Sequence, residues 1–204
     1  LVYRPQDLHW KELSGQIRYD SKTGLSSARL SARFMSRPVT LALAGEGAGT
    51  PFSLTQAGVV TTDDLARQLG AELPGMSGQL PYQAELTLGE PMTLRLTSST
   101  LGLHAAWPAP LGKSSGTRRN LALTLEWPDH SSTRVAGNWG QGLQLRGRLP
   151  ADQVPAWHLA LGEAMPAAPS EPGLMVSGTL DRLVTDKWMT LLAASDTENE
   201  ASAG

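Results

Sequence analysis

The segment Ala84-Glu85-Leu86-Thr87-Leu88-Gly89-Glu90-Pro91-Met92-Thr93-Leu94-Arg95-Leu96-Thr97 decides how the rest of the chain is read. Apolar and polar residues alternate on both sides of a Gly-Glu-Pro break. Successive side chains of a strand point to opposite faces. Ala84, Leu86 and Leu88 therefore share one face and Glu85 and Thr87 the other, and Met92, Leu94 and Leu96 repeat the pattern against Thr93, Arg95 and Thr97. A helix would space its apolar residues three and four apart. So short a connection predicts that the two strands are antiparallel neighbours.

The same rhythm extends outward. Val39, Leu41 and Leu43 carry it upstream. Leu121, Leu123, Leu125 and Trp127 alternate with Ala122, Thr124 and Glu126, and Leu143 and Leu145 alternate with Gln144 and Arg146. Turn-forming Gly and Pro separate the runs at residues 45–49, 89–91, 108–116, 128–129 and 140–142. The prediction is a mainly β chain: one long antiparallel sheet with an apolar and a polar face. Two short helices are predicted to interrupt it. In the first, Thr61 is an N-cap, Asp64 lies in the first turn and Gly70 is the C′ residue. The second follows Thr185-Asp186 and runs through Trp188 to Leu192. Both are expected to cover an edge or end of the sheet.

The chain also repeats itself. Ser14-Gly15-Gln16-Ile17-Arg18-Tyr19 returns as Ser77-Gly78-Gln79-Leu80-Pro81-Tyr82, and a shorter echo is Ser177-Gly178-Thr179-Leu180. Leu13, Met76 and Val176 precede the three copies. Each Gly is expected early in a strand, at a bulge or a close backbone approach. Recurrence of a strand unit suggests stacked repeats, beginning near residues 13, 76 and 175, within one unit spanning 1–194. Residues 195–204, with Asp196, Glu198 and Glu200, are expected to be a polar linker or tail. Because the sequence begins at Leu1 in mid-pattern, the expectation is a segment of something longer. Proline-rich residues 164–172 are expected to be extended, and residues 152–157 to be a local insertion before a strand at His158.

Composition narrows the function classes. Hydrophobic residues make up 40% of the 204 and charged residues 18%, so a buried core is expected rather than disorder. A net charge of -2 and the lack of a basic patch argue against nucleic acid as a partner. Lys113, Arg118 and Arg119 read as a solvated loop. The absence of cysteine excludes disulfides, thiol catalysis and cysteine zinc sites.

Motifs for chemistry are weak. Gly112-Lys113-Ser114-Ser115-Gly116 matches a nucleophile elbow in letters only, because a proline-rich loop precedes Ser114 and a strand follows it. His9, His104, His130 and His158 show no metal-ligand spacing. Asp63-Asp64 and Asp181 with Asp186 abut predicted helix starts, where carboxylates favour the dipole. Trp107 and Trp127 at strand ends read as plugs of a core rim, with an interfacial role near lipid headgroups as the alternative. No catalytic residue, metal or cofactor is expected.

Several segments, in order, resemble the YhdP-type, AsmA-like family of the Gram-negative envelope. They are residues 13–19 with Gly24-Leu25 and the strand to Phe34, residues 77–88, residues 96–103 leading into residues 107–113, and residues 173–180 with Trp188. The resemblance covers roughly residues 10–192. It implies a repeating β-groove, an antiparallel sheet curved into an open trough, anchored in the inner membrane and crossing the periplasm. It also implies phospholipid movement toward the outer membrane and upkeep of the permeability barrier. The residues expected to line the groove are Val39, Leu41, Leu43, Ala84, Leu86, Leu88, Met92, Leu94, Leu96, Leu121, Leu123 and Leu125, with phospholipid acyl chains as the partner and the two membranes reached through the parent protein. The alternation alone is equally met by a closed β-sandwich that serves as a scaffold or protein-interaction module.

Overall fold

A computed structural model describes residues 9–179, apart from 23, 46, 48–50, 71, 110, 130 and 163, together with 185, 186 and 189. The strands are β1 (Trp10–Gly15), β2 (Arg18–Asp20), β3 (Gly24–Phe34), β4 (Arg37–Gly45) and β5 (Phe52–Thr61), then helix α1 (Thr62–Leu69). After it come β6 (Met76–Leu88), β7 (Met92–Ser98), β8 (Leu103–Ala105), β9 (Leu121–Trp127), β10 (Ser132–Trp139), β11 (Leu143–Pro150), β12 (Ala156–Leu161) and β13 (Gly173–Gly178).

All of these strands belong to one open sheet, in the order β1-β3-β4-β5-β6-β7-β9-β10-β11-β12-β13, with β2 beside β3 and β8 beside β6. Ten inter-strand steps of about 4.8 Å give the path a contour of roughly 48 Å. From β3 to β12 each strand pairs antiparallel with the next on this path, as expected where the connections are short, and also across the longer connections at residues 62–75 and 99–120. The exception corrects the sequence reading: β13 runs parallel to β12. Residues 162–172 carry the chain back across the face that bears His158, whose ring nitrogens meet the Ala167 carbonyl at 3.2 Å and the Ser177 hydroxyl at 2.8 Å. A crossover of this kind is what permits a parallel pair. The expected insertion at residues 152–157 is a turn after β11, and Trp157 already belongs to β12.

The sheet curls. Trp10 on β1 donates its indole N–H to Gln56 Oε1 on β5 at 2.6 Å, although β3 and β4 lie between them. In a flat sheet three steps alone are about 14 Å, beyond what the two side chains bridge once their offset along the strands is added. The concave side is the face that holds both residues.

Helix α1 follows its predicted capping. The Thr61 hydroxyl accepts from the Asp64 N–H at 3.2 Å, the Asp64 carboxylate accepts from the Thr61 N–H at 3.2 Å, and Gly70 ends the helix with φ 61°. The Asp64 carboxylate is buried and also takes Arg37 and Arg67. Burial alone would raise its pKa. The Thr61 hydroxyl and the Arg37 guanidinium outweigh burial, and the pKa falls from 3.8 to about 2. A depressed carboxylate contributes stability that is present above its unfolded pKa and disappears as pH falls through the folded one. Asp64→Asn is therefore expected to lower stability by about 2 kcal/mol at pH 6, with the difference shrinking toward zero between pH 4 and pH 2. Urea titrations of both proteins across that window check it. Of the second predicted helix, Thr185, Asp186 and Met189 are helical. Trp188 and residues 190–192 lie outside the described residues, as does the predicted tail at residues 195–204.

Candidate functional site

Residues directly opposite on neighbouring strands share a face. The register therefore tests which side chains come together. One row runs Leu43, Leu54, Leu86, Leu94, Leu125, Val135, Gly147, Trp157 and Leu174 from β4 to β13. The adjacent row runs Leu41, Gln56, Ala84, Leu96, Leu123, Gly137, Leu145, Leu159 and Val176. Val39 lies opposite Gly58, Leu88 opposite Phe52, Met92 opposite Trp127, and Leu121 opposite Trp139. All twelve residues singled out from the sequence thus lie on one face, the concave one. The other face carries Thr55, Glu85, Arg95, Thr97, Thr124 and Arg134, with Arg134 paired to Glu126 at 3.1 Å.

Burial divides the apolar face into three zones. At the β1 end, Leu30, Ala32, Val39 and Leu41 are 2–5% exposed and pack with Phe34, Leu43 and Leu54. Val39 and Leu41 are thus enclosed in this structure. At one end of the strands, Val60, Leu80, Leu103, Ala105 and Trp139 form a second buried cluster, against which Leu65 of α1 and Trp107 pack. Between these clusters Leu86, Leu94, Leu96, Leu123 and Leu125 are only half-buried, as are Leu145 and Leu159 beyond β10, where Val135 is buried. Among the described residues no second sheet packs over them. Leu88 at the far rim and Leu174 and Val176 on β13 are exposed.

The second cluster rests on the excursion between β7 and β9, residues 99–120, in which the sequence predicts a solvated loop carrying Lys113, Arg118 and Arg119. That reading is corrected for two of its cations. Lys113 is 5% exposed, and its ammonium donates to the carbonyls of Thr100, Leu103 and Ser114 at 2.7, 2.8 and 3.0 Å. Burial, with the Arg119 charge nearby, lowers its pKa below the ordinary 10.5. Arg119 lies over the Trp139 ring, 4.8 Å from its centroid, and Trp107 meets the same ring edge-on at 5.9 Å. Trp107 thus plugs a core rim, as its place after a strand suggests. Trp139 was not singled out from the sequence. Its position opposite Leu121 and Leu143 extends the same alternation and was the available signal. Lys113→Met is expected to lower stability by about 2 kcal/mol, because the three carbonyls lose a charged donor. A urea melt reads the loss, and faster amide exchange confined to residues 99–119 would localise it.

Other sequence candidates are not assembled into a reactive site. Ser114 is exposed in a turn, bonded to the Thr117 hydroxyl at 2.8 Å, and the chain continues to β9 without a helix. His104 is an exposed residue of β8, and His158 is held by the crossover. His130 and Asp181 lie outside the described residues. Among the described residues there is no group of three His, Asp or Glu placed to hold a metal ion. Among the same residues no helix is long and apolar enough to cross a membrane.

The three recurring glycines share a positive φ: 140° at Gly15, 107° at Gly78 and 120° at Gly178. Their expected place early in a strand holds for Gly78 alone, since Gly15 ends β1 and Gly178 ends β13.

No curated protein and no solved structure matches the chain. The family model described as YhdP protein matches residues 2–204, nearly the whole sequence, and the chain therefore belongs to the YhdP family.

Proposed function

We propose that the half-buried stretch of the concave face carries phospholipid acyl chains, as a periplasmic segment of an inner-membrane-anchored protein that moves phospholipid toward the outer membrane and supports the permeability barrier. One observation carries the reading: the apolar face across β6, β7 and β9 is only half-buried, where a soluble protein ordinarily buries such a surface. Membership of the YhdP family supports the envelope setting. Each buried methylene contributes about 0.8 kcal/mol, so ten of them supply roughly 8 kcal/mol without any polar contact. Acyl chains would lie against Leu86, Leu94, Leu96, Leu123 and Leu125 while headgroups stay in water at the open rim. The mechanism is passive along the face and requires no catalytic side chain or cofactor.

Titration of the full chain with a phospholipid bearing an acyl-chain fluorophore tests the reading. The expected result is a saturable rise in emission that unlabelled phospholipid competes away and glycerophosphate does not. Folded protein with no saturable signal would refute the proposal and favour the other use of an exposed apolar face, a protein partner.

A further inference from the structure

Within the apolar face a buried amide is out of place. Gln56 stands in the row between Leu41 and Ala84, yet it is 6% exposed. A buried amide is tolerated only when its polar atoms are bonded. Both ends of Gln56 are: its Oε1 accepts from the Trp10 indole, and its Nε2 donates to the Tyr82 hydroxyl. Gly58, opposite Tyr82, makes room for this bond, since a Cβ there would lie 2.9 Å from Val39 and 3.3 Å from the Tyr82 hydroxyl. A polar bridge thus crosses the concave face from β1 to β6. On one side of it lie the enclosed Leu30, Ala32, Val39 and Leu41, and on the other the half-buried leucines.

The strand that carries one end of this bridge is thinly held. All six residues of β1 are exposed, and its pairing with β3 is broken between Lys11 and Ser14. Trp10, with its ring 6.0 Å from Phe34 and its N–H on Gln56, ties β1 down across the face. Opening an exposed edge strand with an interrupted ladder requires little free energy compared with unfolding the sheet.

We infer that the Trp10–Gln56–Tyr82 bridge is a latch that ends the acyl-binding face at β5, and that its release lifts β1 and adds the enclosed apolar cluster of Val39 and Leu41 to that face. The acyl ligand rests on the proposed function; the latch itself does not. Closed, the bridge stops a hydrocarbon chain at Gln56. Open, the same face continues toward the β1 edge.

The absence of cysteine allows clean single-site probes in the full chain. Leu41→Cys and Leu94→Cys are labelled with an apolar maleimide, each alone and combined with Trp10→Phe or Trp10→Ala. The latch predicts that Leu41→Cys reacts far more slowly than Leu94→Cys. Trp10→Phe, which keeps the ring but not the N–H, should speed the Leu41→Cys reaction about tenfold, the factor expected for one ordinary hydrogen bond. Trp10→Ala should speed it more, and neither should change the Leu94→Cys rate. Leu41→Cys reacting as fast as Leu94→Cys in the parent, or a rate indifferent to both Trp10 variants, would overturn the latch. Equal acceleration at both positions would also count against it, since that reads general unfolding. Adding a short-chain phospholipid separates the two claims. Protection of Leu94→Cys throughout, and of Leu41→Cys only beside a Trp10 variant, supports the latch as the boundary of the face. Protection at neither site refutes lipid binding while the labelling rates still decide the latch.

Discussion

Leu94→Arg is expected to weaken phospholipid binding about 100-fold while leaving the folded state within about 1 kcal/mol of the parent. Leu94 is half-buried in the row between Leu86 and Leu125, in the middle of the open stretch. A guanidinium placed against hydrocarbon costs about 2.5–3.5 kcal/mol, which is a factor of about 100 in affinity. The fold is expected to tolerate the change because the arginine stem covers neighbouring apolar surface and its charged end reaches water through the open face. Thr97→Arg is the control. It sits on the opposite face, exposed, between Gln83 and Ala122, and should leave binding unchanged. Fluorescent-lipid titration and a urea melt of both variants give the comparison. Equal losses from the two substitutions would remove the face-specific reading.

The largest effect on stability is expected at Gly78. A Cβ there would lie 2.2 Å from the Gly102 carbonyl oxygen, and the residue sits at φ 107°. The close neighbour is backbone, fixed by the Gln79 N–H that bonds the same carbonyl at 3.2 Å, so it cannot swing aside as a side-chain tip could. The contact holds β6 to the excursion that carries β8 and the buried Lys113. Gly78→Ala is expected to cost about 3–5 kcal/mol, combining backbone strain with a steric displacement. Two other glycines grade the explanation. Gly70, at φ 61° with open space around it, should cost about 1 kcal/mol on change to alanine. Gly116, with open space and an ordinary φ, should fall within about 0.5 kcal/mol. Urea melts of the three variants would show the order, and a mild Gly78→Ala would mean that β8 and β6 are not packed as described.

Much of this fold was legible because its strands are half-buried. Strict alternation from Val39 to Leu43, Ala84 to Thr97 and Leu121 to Trp127 requires one wet and one apolar face, and the connection at residues 89–91 sets its neighbours antiparallel. Helix α1 was equally readable, since Thr61, Asp64 and Gly70 each occupy a position that backbone chemistry singles out. Three features were not readable. The parallel pairing of β13 depends on residues 162–172 crossing a face, and a run of prolines does not say which way it turns. Lys113 looked solvated because its partners are backbone carbonyls, which carry no sequence signal. Trp10 and Gln56 meet only because the sheet curls, and curvature is a property of the whole sheet rather than of either residue. The face of the candidate site therefore followed from local pattern, whereas its partition into enclosed and open zones needed tertiary contacts.

The central claim is that lipid occupies the concave face of the sheet. A photocrosslinking amino acid placed at Leu86 and, separately, at Thr87 of the full-length protein in cells tests it most directly, because adjacent positions on β6 point to opposite faces. Phosphate-labelled lipid attached at Leu86 and not at Thr87 is the result this account predicts. Folded, abundant protein with lipid at neither position, or equally at both, would contradict it.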